Sequence, residues 1–64
     1  GKTYLLESKA TEKKSFSVTL EMLNKVTKEA MEAARIPIVR LSIQGQSWYL
    51  LPDYHIEGIL MSDE

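Results

Sequence analysis

Glu7 and Lys9 stand two residues apart in the stretch YLLESKAT, which opens as an apolar run and closes in charge. A strand repeats its side-chain direction every second residue, so this spacing sets a carboxylate and an ammonium on one face, about 7 Å apart along the chain. The Glu7 carboxylate and the Ser8 backbone carbonyl are hard oxygen ligands of the kind Mg²⁺ or Mn²⁺ takes, with waters and phosphate oxygens completing the octahedron. Such a metal lowers the pKa of a bound water and offsets charge on a phosphodiester transition state. Lys9 is then placed to hold the attacking water or to stabilise the phosphorane. Lys13, Lys14, Ser15 and Ser17 follow at the approach to a helix start, where a phosphate backbone would be received. The triplet alone is no signature, since Glu12-Lys13-Lys14 has the same E-x-K form in a polar loop. The competing reading of Glu7 and Lys9 is a surface ion pair, worth under about 1 kcal/mol.

What distinguishes the first triplet is the set of elements around it. Tyr4 to Thr11 reads as a strand with Leu5, Glu7 and Lys9 on one face and Tyr4, Leu6, Ser8 and Ala10 on the other. Glu12 to Ser15 is a solvated loop. Ser17 to Arg35 has helical periodicity, with Ser17 or Thr19 as cap and Glu21 in the first turn. Its apolar half is predicted to carry Leu20, Met22, Leu23, Val26, Ala30, Met31, Ala33 and Ala34. The helix must end before Pro37, because a proline disfavours helix at the preceding residue. Ile36 to Gln44 is a second strand, with Val39, Leu41 and Ile43 facing opposite to Ile38, Arg40 and Ser42. A turn over Gln44 to Ser47 and a returning strand Ser47 to Leu51 make a hairpin. Pro52-Asp53 ends it, and Asp53 is placed to cap a short helix through Tyr54 to Met61.

The order strand–helix–strand–strand–short helix predicts an α/β (α+β) fold: a small mixed sheet packed on one main helix, in a single small domain spanning residues 1–64. The strand–helix–strand part makes a right-handed crossover if its strands are parallel neighbours. One helix cannot cover a sheet that is apolar on both faces, so missing elements or a partner chain are expected.

Sixty-four residues lie near the lower limit for a self-sufficient core, and no cysteine is present to staple it. Absent cysteine fits a reducing compartment, and no apolar run approaches the roughly 20 residues of a membrane span. The expectation is a soluble cytoplasmic protein with no membrane and no small-molecule substrate. Charge is uneven: residues 1–40 hold eight bases against five acids, a balance of +3, whereas residues 41–64 hold four acids and no base, −4. Any basic surface is therefore confined to one side. Arg40 is a phosphate-contact candidate or a strand-edge charge. Of Trp48 and Tyr49, one is expected in the core and the other half-exposed, and the methionines are expected as core filler. His55 has no second His or Cys to share a metal. Gly1-Lys2-Thr3 copies the end of a phosphate-binding loop without its earlier glycine, preceding strand or following helix.

Taken together, YLLESKAT, the loop EKKSFSVT, the helix through KEAMEAAR and the segment IPIVRLSIQGQSWYLLP resemble the second half of the PD-(D/E)xK nuclease fold. The closest likeness is to its Holliday-junction-resolvase and phage recombination-nuclease branch. The resemblance covers about residues 4–60 and implies a partial restriction-endonuclease-like core. Carried over position by position, it makes Glu7 the metal carboxylate and Lys9 the catalytic lysine. It also implies branched or duplex DNA as substrate, a homodimer, and a further acid upstream. Residues 1–6 contain no acid, so the chain departs from the family there and looks like a core without its first helix and first two strands. The chain opens on Gly1 rather than Met, as a trimmed chain would. Two functions follow: a metal-dependent DNA endonuclease, or a non-catalytic small DNA-binding or protein-interaction/dimerisation domain that keeps the half-fold.

Overall fold

In the computed structural model, which describes residues 3–56, YLLESKAT forms strand β1 (Tyr4–Thr11). Helix α1 (Leu20–Glu32), β2 (Ile36–Ile43) and β3 (Gln46–Leu50) follow. The sheet order is β1-β2-β3, with β1 parallel to β2 and β2 antiparallel to β3. The small mixed sheet on one main helix is thus as the hydrophobic periods require. A helical turn at 53–56 opens from the Pro52 carbonyl, which accepts from the His55 and Ile56 amides. The remainder of the helix expected through Met61, and Gly1 and Lys2 of the loop-like triplet, lie outside the described residues.

Side chains of β1 alternate as predicted: Leu5, Glu7, Lys9 and Thr11 are half-buried toward α1, and Tyr4, Leu6, Ser8 and Ala10 are exposed. The parallel register sets Leu5 beside Pro37, Glu7 beside Val39 and Lys9 beside Leu41. Val26 and Ala30 of α1 are buried, as are Pro37, Val39 and Leu41 of β2, and this is the core. Ala30 has no exposed surface, as a small residue in the helix–sheet contact does.

The helix is shorter than its sequence period at both ends. Thr19, in extended conformation, accepts a hydrogen bond on Oγ1 from the Met22 amide at 3.1 Å and is the N-cap; Ser17 lies before it. At the other end Ala34 takes φ 55°, with its amide donating to the Met31 carbonyl and the Arg35 amide donating to the Ala30 carbonyl at 2.8 Å. This paired 5→2 and 6→1 closure ends the helix through a left-handed residue. Ala33 and Ala34 therefore leave the apolar face assigned to them, and both are exposed. Leu20 and Met31 also fall outside the core, each 72% exposed. At about 100° per residue they lie about 100° and 120° from the centre of the stripe set by Val26 and Ala30, too far to reach a sheet on one side.

The hairpin turns on Gln44 and Gly45, with φ 47° and 85°, so the two-residue loop places β3 one residue earlier than expected. Two positive φ angles in succession match the right-handed twist of the flanking strands, and Gly45 adopts its angle without a Cβ to strain. Trp48 and Tyr49 are both exposed, at 63% and 60%, so neither is core. Trp48 pairs with Leu41 and faces the helix side, but α1 covers β2 and not the β3 margin. Met31 corrects the core-filler reading in the same way. On the opposite face of the sheet His55 of the 53–56 turn packs against Tyr4, while no element among the described residues covers Leu6 and Tyr49.

Candidate metal and nucleic-acid site

The two residues of the E-x-K triplet meet. Lys9 Nζ lies 3.5 Å from Glu7 Oε1, with both side chains a little over one-third exposed. They line a small pocket of about 60 Å³ between β1 and α1, together with Met22, Lys25, Val26 and Glu29. Val39 and Leu41, beside them in register, are buried, so the pair stands at the wet margin of the core. A carboxylate and an ammonium at such a margin keep water access and some freedom of geometry.

The backbone of β1 adds an acceptor. The Thr3 and Thr11 carbonyls accept from the Ile36 and Gln44 amides, at 2.9 and 3.0 Å, on the β2 side. Backbone polar groups alternate along a strand, so those of the odd-numbered residues face β2. Those of Tyr4, Leu6, Ser8 and Ala10 point away along the outer edge, where the sheet has no further strand among the described residues. The Ser8 carbonyl is therefore open beside Glu7.

Glu29 is the site residue that sequence reasoning missed. A charged residue outside the apolar half of the helix, it nevertheless lines the pocket with Glu7. The available signal was its position next to Ala30, three residues after Val26, at the fringe of the packed stripe. Glu7, Glu29 and the Ser8 carbonyl are oxygen donors, the type that Mg²⁺ or Mn²⁺ selects. Among the described residues no cluster of three or more His, Cys, Asp or Glu is gathered for a metal.

The phosphate-contact candidates divide. Lys13, Lys14, Ser15 and Ser17 are exposed in the segment that leaves the carboxyl end of β1 and leads to α1. The Lys13 amide donates to Thr11 Oγ1 at 3.1 Å, and Gln44 Nε2 donates to the Glu12 carbonyl at 3.2 Å, which ties this segment to the hairpin. Arg40 pairs in register with Ser8 and so faces away from Glu7 and Lys9. Its Nη2 donates to Ser47 Oγ at 3.3 Å, and Ser47 shares a 2.7 Å hydrogen bond with Ser42 on that same face. His55 sits edge-on to Tyr4, ring centroids 5.4 Å apart, with Nε2 3.3 Å from the tyrosine hydroxyl. That is a packing role, distant in sequence and face from the triplet. No helix among the described residues is long and apolar enough to cross a membrane. None of the family profiles, curated proteins or solved structures compared with the chain matches it.

Proposed function

We propose that the chain is a divalent-metal-dependent DNA endonuclease, resolvase-like, acting on branched or duplex DNA as a homodimer. The observation that carries this reading is the half-exposed Glu7–Lys9 pair at 3.5 Å, on a strand that feeds a helix and then a parallel strand. Mg²⁺ or Mn²⁺, if held there, would supply an activated water and charge neutralisation at the phosphodiester. Glu7 would offer it a carboxylate and the Ser8 carbonyl a second oxygen, with Glu29 a further acid in the pocket that Glu7 lines. Lys9 orients the attacking water or stabilises charge on the phosphorane. Lys13, Lys14, Ser15 and Ser17 hold the DNA backbone beside the site, and Arg40 serves a separate contact on the other face.

The test is cleavage of a labelled four-way junction and a linear duplex with Mg²⁺ or Mn²⁺. Glu7→Gln and Lys9→Ala are each expected to lower cutting by about 10²-fold or more. Because both side chains reach solvent at the margin of the core, their melting should stay within about 1 kcal/mol of the parent. Cutting that survives both changes, or its absence in the parent, removes the enzyme reading. The exposed sheet face with Leu6 at 55% and Tyr49 at 60% favours a second reading, a non-catalytic interaction domain. That reading predicts salt-insensitive self-association without DNA binding, whereas phosphate contact loses affinity steeply with salt.

A further inference from the structure

The outer edge of β1 is eight residues long, and its backbone groups at Tyr4, Leu6, Ser8 and Ala10 have no partner strand among the described residues. Edges of this length are templates for another strand unless they are short, bulged, blocked by proline or guarded by charge. β1 is neither short, bulged nor proline-bearing, and its charges, Glu7 and Lys9, are of opposite sign and can pair across a two-fold. We propose that this edge pairs antiparallel with the same edge of a second copy of the chain, with Ser8 on the two-fold axis.

Two features of β1 select that register. The free backbone groups belong to even-numbered residues, so hydrogen-bonded partners across the interface must both be even-numbered. This removes every register that sets an even residue opposite an odd one. Among those left, sliding by one pairing step sets Glu7 opposite Glu7 of the second copy, and sliding the other way sets Lys9 opposite Lys9. Like charges directly opposed destabilise a sheet. The register centred on Ser8 sets Glu7 opposite Lys9 of the second copy and Lys9 opposite its Glu7. It also sets Leu6 opposite Ala10 and Leu5 opposite Thr11. The two ion pairs fall at non-hydrogen-bonded positions, where side chains approach closest. The edge is thus self-complementary in charge, as a two-fold interface demands.

The helices permit it. α1 lies mainly over β2, so the two copies of α1, on the same face of a six-stranded sheet, stand three strand spacings apart, about 14 Å. Packed helices need only about 8–10 Å, so they neither clash nor close over β1. Between them the floor is a cluster of two Glu7 and two Lys9 side chains. The pairing itself stands on the edge and its charges. In the dimer the Ser8 carbonyl accepts from the Ser8 amide of the second copy. The metal site of the nuclease reading would then keep Glu7 and Glu29 and gain a second Glu7 carboxylate in the carbonyl's place. Only that consequence rests on the nuclease reading.

Sedimentation equilibrium of the chain, without metal or DNA, tests the pairing. The parent should show a monomer–dimer equilibrium with Kd below about 1 mM. Glu7→Lys and Lys9→Glu should each weaken it by about tenfold or more, and the double variant Glu7→Lys/Lys9→Glu should restore it. Ser8→Pro removes an outward amide that the monomer does not use, so it should abolish the dimer while far-ultraviolet circular dichroism is retained. A monomeric parent overturns the proposal and leaves the edge to some other strand. So does a dimer that persists in both single reversals, or one that the charge swap fails to restore. A dimer without cleavage counts against the nuclease alone, whereas cleavage by a monomer overturns the pairing and the homodimer of the nuclease reading and leaves its metal chemistry standing.

Discussion

Ala34 is an alanine where the helix end asks for glycine. Its φ of 55° lies in the left-handed region, which costs an L residue about 1–2 kcal/mol. Ala34→Gly removes that cost. It also gives the unfolded chain more freedom, which opposes stability by about 0.4–1 kcal/mol. The net expectation is a gain of about 0.5–1 kcal/mol. The neighbouring Ala33 supplies the control, because its φ of −94° and ψ of 3° suit any L residue. Ala33→Gly gains nothing in the folded state and should lose about 0.5–1 kcal/mol. The same chemical change at adjacent positions must therefore act with opposite sign. Urea unfolding followed at 222 nm reads both, and in a domain of this size each kcal/mol moves the melting temperature by about 4–8 °C. If both substitutions destabilise alike, the helix does not close through a left-handed Ala34 and the account of its end is wrong.

Ala30→Leu should destabilise by about 1–3 kcal/mol in the same assay, since a fully buried alanine at the helix–sheet contact has no room for a larger side chain. Met31→Leu, one residue on but 72% exposed, should stay within about 0.5 kcal/mol; equal effects at the two positions would contradict the narrow stripe. Thr19→Ala should cost about 1 kcal/mol through the lost cap to the Met22 amide, while Ser17→Ala stays within about 0.5 kcal/mol, and the reverse ranking would move the helix start.

The strands were legible because their signals are local. Alternation in Leu5, Glu7 and Lys9, and in Val39, Leu41 and Ile43, fixes both face and parity, and Gly45 marks the hairpin. The two halves of the E-x-K pair follow from that same period. The helix ends were less legible because Ala33 and Ala34 are good helix formers, and nothing in their own chemistry stops them. The stop comes from the backbone turning back to lay β2 beside β1. Leu20, Met31, Trp48 and Tyr49 are apolar in type, but burial depends on how far a single helix reaches across three strands. Glu29 enters the pocket through the rotation of α1 on the sheet, a tertiary quantity that no local pattern encodes.

The parallel pairing of β1 with β2 has a kinetic consequence. Residues 12–35 separate those strands, whereas two residues separate β2 from β3. Closing the longer loop costs about 2 kcal/mol more in chain entropy, so the hairpin zips early and β1 docks late. Docking also waits on α1, which supplies the surface that β1 half-buries. In the single chain, Glu7 and Lys9 therefore ride on the last strand to arrive and the first to detach. Their working geometry lasts only as long as that strand stays docked, and partial opening can disperse it while the hairpin and helix persist.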